Sequence, residues 1–468
     1  MAASTRQDEM GQDESGKGEA IPDTGLACIV LAAGKGTRMK SRLPKVMHPL
    51  AGIPMIGHVL ASLSALGAVR SAVVVGPGMQ ALANSCAPTP VRIQEERNGT
   101  AGAVLAAADI IENFSGDVLV VYGDTPLVRP ETLRAMVHSR RETGAAVVVL
   151  GMRPVDPGAY GRLILDEAGG LQRIVEAADA SAAERAVEIC NAGLMVLDGS
   201  VALELLRAIR PDNAKAELYL TDAVAVARER GMDCRVVEAP EDEVLGINSR
   251  RELAVAEAIL QRRLRDNAMD AGVTMTDPST VYLAADTRFG IDVTIGPGAV
   301  FGPGVTVEDD VVINAYCHLE NCTVRTGATV GPFARLRPGA DVGPSAHVGN
   351  FVELKNARLG AGAKANHLSY LGDADIGAGT NIGAGTITCN YDGVSKSRTS
   401  LGDGVFVGSN TAFVAPLSVG DGAVIGAGSV ITADVPANGL ASARAGQKVT
   451  PDGGRRYWDK RRGGKNAK

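Results

Sequence analysis

The stretch LAAGKGTRMKSRLPKVMHPLAG, residues 31–52, holds the first residues whose types and spacing can do chemistry. Gly34 and Gly36 carry no Cβ, so backbone N–H groups beside them can approach phosphate oxygens closely. Lys35, Arg38 and Lys45 add positive charge to the same stretch. The pattern is not the Walker loop, because its Gly-Lys pair lacks the following Ser or Thr at the required spacing. It is not the dinucleotide fingerprint, because the third Gly is missing. What it predicts is a phosphate-binding turn of another kind.

A second set lies far along the chain, where ANHLSYLGDADIGAGTNIGAGTITCNYDG supplies His367, Tyr370, Asn381, Asn390 and Tyr391, with Arg337 and Lys355 upstream. A lone His is ordinarily a satisfied surface residue. His367 beside Tyr370, with two Asn on what are predicted to be successive structural layers, is a different arrangement. A His so placed can take the proton of an attacking nucleophile such as an amine, a contribution of roughly 10²–10⁴ in rate. Tyr370 or a backbone N–H can donate to the developing oxyanion. His48, His58, His138, His318 and His347 are read as structural.

Each set needs a scaffold. LACIVLAA, from Leu26, is a continuous apolar run bounded by Gly, as buried parallel strands are. SAVVVG, DVLVVYGD and GAAVVVLGM repeat the pattern, with helical stretches such as MIGHVLASLSAL and TAGAVLAAADIIENF between them. Alternating strands and helices predict an α/β domain with a mostly parallel, Rossmann-like sheet. Ligands in such sheets bind beyond the carboxyl ends of the strands, where the glycine-rich turn falls. SRRELAVAEAILQRRLRDNAMDAG reads as one helix: Ser249 and Glu252 have capping-box spacing, Leu253, Ala256, Leu260 and Leu264 share a face, and Gly272 can end it.

Beyond this helix the period changes. Ile295, Phe301, Val307, Ile313 and Leu319 recur every sixth residue; after a slip of one the series runs on through Val324, Val330, Leu336, Val342, Val348 and Leu354. Further slips lead to Leu359, Ala365 and Leu371, then Ile376 and Ile382, and Leu401 to Ile431 completes it. A six-residue repeat is the mark of a parallel β-helix in which three hexads make a triangular coil of about 18 residues and the aliphatics stack inward. TITCNYDGVSKSRTS breaks the period, so a protruding loop is expected near Asn390 to Thr399. By itself such a helix serves an enzyme, a regulatory domain or an oligomerising scaffold equally well.

Composition agrees. Aromatics are only 3% of the 468 residues, with one Trp, against 57 Gly, as expected of tight corners and β-branched cores. The net charge of −6 offers no basic field for nucleic acid. The seven Cys include no CxxC pair and sit mostly in apolar runs, which predicts reduced thiols and a cytoplasmic protein. No apolar run is long enough to span a membrane. Residues 1–24 read as a polar, acidic, disordered leader.

LAAGKGTRM with LPKVMHPLAGIPM, followed in order by QEERNGTAGAV, VVYGDTPL, GAYGRLI, IVEAADA, EICNAGLM and LGINSR, resembles the sugar-1-phosphate nucleotidylyltransferases. With the hexad region included, the chain from Leu26 onward is similar to the bacterial bifunctional enzymes that unite an N-acetylglucosamine-1-phosphate uridylyltransferase with a glucosamine-1-phosphate acetyltransferase on a left-handed β-helix. The resemblance implies that Leu31, Ala32, Ala33, Gly34 and Arg38 hold UTP, that Lys45 stabilises phosphate charge, and that Gln94, Gly99 and Thr100 surround the uracil. It implies Mg²⁺ at Asp124 and Asn248, and the sugar with its acetamido group at Gly161, Glu176 and Asn191.

On the β-helix the resemblance makes His367 the general base, Arg337, Lys355, Tyr370 and Asn381 the binders of glucosamine-1-phosphate, and Ala384, Asn390, Tyr391, Ser409, Ala427 and Arg444 the contacts of acetyl-CoA. It implies a homotrimer with acyl sites between subunits. The domains are then uridylyltransferase 25–250, linker helix 251–271, β-helix 272–446 and basic tail 447–468; the tail, with Trp458, is expected either to be solvated or to close over bound CoA. Two positions depart from the family pattern: Gly102 stands where His is common and Asn98 where an apolar residue is usual. The segment NAKAELYLTD also differs in wording.

Overall fold

The computed structural model describes residues 25–213 and 216–463; the acidic leader therefore lies outside the described residues, as does the end of the basic tail. Contacts divide the chain into two compact units, one up to Leu260 and the other from Gln261 onward.

The first unit is a three-layer α/β domain. Its strands are β1 (Leu26–Leu31), a short hairpin of β2 (Pro49–Leu50) and β3 (Ile53–Pro54), then β4 (Arg70–Val75), β5 (Val91–Ile93), β6 (Asp117–Tyr122), β7 (Val147–Met152), β8 (Arg162–Leu165), β9 (Leu171–Val175), β10 (Cys190–Asp198) and β11 (Cys234–Glu238). The main sheet runs β11-β7-β10-β6-β1-β4-β5. β6, β1, β4 and β5 are parallel neighbours, and β10 enters antiparallel between β6 and β7. β1 is buried along its whole length because helices cover both faces, which is why its sequence is apolar without alternation. One buried cluster lies on each face: Ile29, Val74 and Val120 on one, Cys28, Val30 and Val121 on the other.

The stretch expected as one helix from Thr100 is two, Thr100–Leu105 and Ala108–Ile111, bent at Ala107. The bend lets Ala103, Val104, Ala107, Ile110 and Ile111 all enter one buried cluster. Arg250–Asp270 is a single helix. Its start differs from a reciprocal capping box. Ser249 Oγ accepts from the Glu252 amide, but the Glu252 carboxylate reaches past Ser249 to the amide of Asn248, at 2.7 Å. Ala256 is buried with Leu50, Met55 and Ile247 of the first unit, while Leu264, Ala268 and Met269 pack on the core of the second.

The second unit is a left-handed parallel β-helix. Its strands, mostly two residues long, stack into three parallel sheets of ten, eight and eight strands. Every aliphatic of the hexad series enters one continuous buried core. The register stacks like on like: Phe301 on Leu319 on Leu336 on Leu354 on Leu371. The slip after Leu319 is a tighter turn at Asn321, which takes a positive φ of 42°. The loop interrupting the period leaves Ile387–Cys389 and returns at Thr399–Leu401.

Candidate functional site

A cleft of about 310 Å³ opens beyond the carboxyl ends of β1 and β6 and is lined by Leu31, Ala32, Ala33, Gly34, Lys45, Gln94, Gly99, Thr100 and Asp124. The two glycines of the turn differ in function. A Cβ on Gly36 would lie 2.6 Å from Lys45 Cβ, so that position is glycine for packing and for its positive φ of 63°; a Cβ on Gly34 would meet nothing within 4 Å, so its backbone faces open space. Arg38 is solvent-exposed in the short helix Thr37–Met39 and does not line the cleft.

Lys45 is the centre of the polar cluster. Its Nζ donates to Asp124 Oδ2 and, at 3.0 Å, to Asn248 Oδ1. Asp124 arrives from β6 through Gly123, whose amide bonds Leu31 O at 3.0 Å and so ties the ends of the two strands. Asn248 is delivered by the Ile247 amide on Asp124 O, at 2.9 Å, and by the Glu252 carboxylate on its own amide. One carboxylate oxygen and one amide oxygen, both hard donors, thus converge on a single cation. Among the described residues no group of three or more His, Cys, Asp and Glu is placed to hold a metal.

Gly161, Glu176 and Asn191 gather at the adjoining end of β8, β9 and β10. The Asn191 amide bonds Gly161 O at 2.8 Å, and Glu176 Oε1 lies 3.7 Å from the Cβ position of Gly161. Tyr122, at the cleft wall, links this group to Asp124. Burial first, then the Asp124 carboxylate, pushes its phenol up to about 12, so it remains a neutral donor. Burial and the nearby Glu176 raise the Asp222 carboxyl.

On the β-helix, Arg337, Lys355 and Tyr370 lie on the outward face of one sheet, where Glu353 pairs with Tyr370 in register and accepts from Arg337 at 2.8 Å. His367 stands exposed at the edge just before Tyr370, its Nδ1 2.9 Å from Asn350 Oδ1. Asn381 is on the adjoining sheet, beside Lys364. Ala384, Ser409 and Ala427 follow one another along the His367 edge. The carbonyls of His367, Ala384 and Ser409 each accept from the next coil, and that of Ala427 accepts from Arg444 Nη1 at 2.9 Å. Asn390, buried, bonds Asp373, while Tyr391 projects into solvent at the loop. One chain therefore spreads these residues over two faces and the edge between them.

Residues 28–187 match the family model described as a MobA-like NTP transferase domain, and residues 398–433 match the hexapeptide repeat of succinyl-transferase. The bifunctional protein GlmU of Paramagnetospirillum magneticum is 55% identical over 393 residues, 84% of this chain and 87% of the relative. That of Azorhizobium caulinodans is 55% identical over 402 residues, 85% and 89% of the two chains, and that of Roseobacter denitrificans 52% over 396, 84% and 87%. The chain belongs to the bifunctional GlmU family.

Several residues around the candidate sites were not legible from sequence. Arg97 lines the cleft, its Nε donating to Ala33 O at 2.9 Å; its only signal was a cation within QEERNGTAGAV. Glu217 and Tyr219 line it from the reworded NAKAELYLTD segment. On the helix, Asn350 and Asp373 hold His367 and Asn390. The two departures from the GlmU pattern are one structural unit: a Cβ on Gly102 would overlap Asn98 Oδ1, so the small residue makes room for the polar one.

Proposed function

We propose that this chain acetylates glucosamine-1-phosphate with acetyl-CoA on the β-helix, then transfers UMP from UTP to the resulting N-acetylglucosamine-1-phosphate in the α/β unit, releasing pyrophosphate. The observation that carries the reading is that each compact unit holds its own reactive cluster, Lys45–Asp124–Asn248 in one and His367–Asn350 in the other.

In uridylyl transfer a phosphate oxygen of the sugar attacks the α-phosphorus of UTP and pyrophosphate leaves. Such a reaction needs positioning and charge neutralisation more than a base. The Gly34 turn and Arg97 supply donors, and Lys45 neutralises phosphate charge when it turns from Asp124 and Asn248 toward the nucleotide. Gln94, Gly99 and Thr100 enclose the base, and Gly161, Glu176 and Asn191 the sugar. Asp124 and Asn248 fit Mg²⁺, since their oxygens already share one cation, and Mg²⁺ there would neutralise charge on the transferring phosphates.

In acetyl transfer Asn350 Oδ1 accepts from His367 Nδ1–H, which leaves Nε2 as the acceptor for the amine proton. The amine attacks the thioester carbonyl, Tyr370 or a backbone N–H donates to the oxyanion, and the CoA thiolate leaves. Arg337, Lys355 and Asn381 take the phosphate and sugar. Ala384, Ser409, Ala427 and Arg444 along the edge, with Asn390 and Tyr391, take acetyl-CoA.

The working form is a homotrimer. Tyr316, Phe333 and Phe351 stack at 5.2 and 5.3 Å along the His367 edge, followed by Leu368, and all four are 47–62% exposed. An apolar ladder of this kind is normally covered. A neighbouring chain laid on it would bring a second face to His367 and complete a site that one chain spreads apart. Among the described residues no helix is long and apolar enough to cross a membrane. All seven thiols are free, in keeping with a cytoplasmic setting.

The test is two assays on the full chain: acetyl-CoA with glucosamine-1-phosphate, and UTP with N-acetylglucosamine-1-phosphate and Mg²⁺. Both reactions are expected. Absence of the first would reduce the β-helix to an oligomerising domain.

A further inference from the structure

The inward stack of one β-helix sheet runs Phe301, Leu319, Leu336, Leu354, Leu371, Thr388, Phe413 and Ile431. Thr388 is buried, and it is the one polar member of that series. Burying a hydroxyl costs free energy unless it is hydrogen-bonded. Other buried hydroxyls nearby, those of Thr386, Thr411 and Ser429, close their own corners on the carbonyls of Gly383, Gly408 and Gly426. Thr388 Oγ1 instead reaches the previous coil, where it accepts from Gly372 N at 2.8 Å and donates to Gly372 O at 2.9 Å.

That contact replaces a rung of the ladder. In earlier coils the amide after each inward residue donates to the carbonyl of the next inward residue: Gly302 to Leu319, Glu320 to Leu336 and Arg337 to Leu354, at 2.7, 3.0 and 2.9 Å. At Gly372 the hydroxyl of Thr388 stands in for its carbonyl. The carbonyl accepts from Asn390 N instead, at 3.0 Å, in the turn that starts the protruding loop. A Cβ on Gly372 would collide with Tyr370 Oη and Cζ, so the phenol lies across the glycine that Thr388 holds.

We infer that Thr388 is a positioning residue of acetyl transfer: its inward hydroxyl pins the strand on which the Tyr370 ring rests and releases the carbonyl that seats Asn390. The inference rests on the acetyl-transfer reading, in which Tyr370 meets the sugar phosphate and Asn390 meets acetyl-CoA. An aliphatic at this position would fill the stack but leave the Gly372 amide without an acceptor, unless the carbonyl of residue 388 returned to the ladder and drew Asn390 with it. Two substrate contacts thus depend on one buried hydroxyl that touches neither substrate.

The experiment measures KM for glucosamine-1-phosphate and for acetyl-CoA on the full-length protein, because KM does not depend on the fraction of folded enzyme. Thr388→Val keeps the branched side chain and loses the hydroxyl, and both KM values are expected to rise about tenfold, the scale of one lost hydrogen bond. Thr388→Ser keeps the hydroxyl and loses a core methyl, so it should melt at a lower temperature yet hold both KM values within about twofold of the parent. Parental KM values in Thr388→Val, or an equal rise in Thr388→Ser, would overturn the inference. Should Thr388→Val not fold, Gly372→Ala decides: a methyl under the phenol should raise the sugar-phosphate KM, and a parental value there would overturn the inference as well. Parental acetyl kinetics in both Tyr370→Phe and Asn390→Ala would instead sink the reading beneath it.

Discussion

Asn350 and His367 are register partners on adjacent coils, and their side chains meet at 2.9 Å, Oδ1 to Nδ1. The stacking that builds the β-helix thus also sets the tautomer and direction of an exposed imidazole. Asn350→Leu should lower acetyl transfer about tenfold through loss of that one hydrogen bond. His367→Ala should lower it by roughly 10²–10⁴. Uridylyl transfer by both variants should match the parent, and an Asn350→Leu enzyme with full acetyl activity would show that the contact does not orient the base.

Asp124→Ala removes one of the two oxygens that share the Lys45 ammonium. Uridylyl transfer should disappear while acetyl transfer continues, because the residues belong to separate units. Chelation by EDTA should have the same selective effect. Lys45→Ala should slow uridylyl transfer by about 10²–10³, the range seen on removing a preorganised charge-stabilising donor. Loss of both activities in Asp124→Ala would point to misfolding.

Asp373 anchors the loop that carries Tyr391. Burial favours its neutral form, but the amides of Asn356 and Asn390 and the charges of Lys355 and Lys396 outweigh burial and hold the carboxyl below its ordinary value. A depressed folded value means stability present above the unfolded pKa of about 3.9 and lost as pH falls through the lower folded one. The stability gap between the parent and Asp373→Asn, measured by urea unfolding, should therefore narrow from about pH 5 to about pH 2. A gap independent of pH would contradict this.

Burial pushes the thiols of Cys28, Cys234 and Cys322 up to about 12 and that of Cys317 to about 11. Cys389 alone of the seven is exposed, directly before Asn390. Ellman's reagent on the native protein near pH 8 should count one fast thiol. Acetyl-CoA should protect it, since Asn390 and Tyr391 are proposed contacts. Several fast thiols would mean that the buried cores open readily.

The basic helix Gly453–Gly463 carries Tyr457 and Trp458 edge to face, both more than half exposed, with Arg461 over the Tyr457 ring. Deleting residues after Gln447 should raise the acetyl-CoA concentration needed for half-maximal acetyl transfer and leave uridylyl transfer unchanged. Unchanged acetyl kinetics would rule out a role over CoA.

The hexad positions were readable because each coil repeats one local problem: an aliphatic must point inward once in every hexad, so Leu336 or Val342 is identifiable without knowing any contact. The glycine turn was readable for a similar reason, since Gly34 and Lys45 lie close in sequence. Asn248 and Asp124 were matched only through resemblance to a family, for no periodicity links residues so far apart. Asn350 and Arg97 escaped notice because a polar residue on a regular coil, or a cation beside a loop, has no local signature of its neighbour.

Sequence by itself determined the two architectures and their order, because buried strands and stacked hexads impose their periods on the chain. Tertiary structure decided which side chains share an atom: Lys45 between Asp124 and Asn248, His367 on Asn350, and Gln94 held by Asn98 in the space left by Gly102. The physical reason is range. Secondary-structure patterning acts over a few residues, whereas hydrogen bonds and steric exclusion between side chains depend on positions that only the folded chain brings within 3 Å or so of one another.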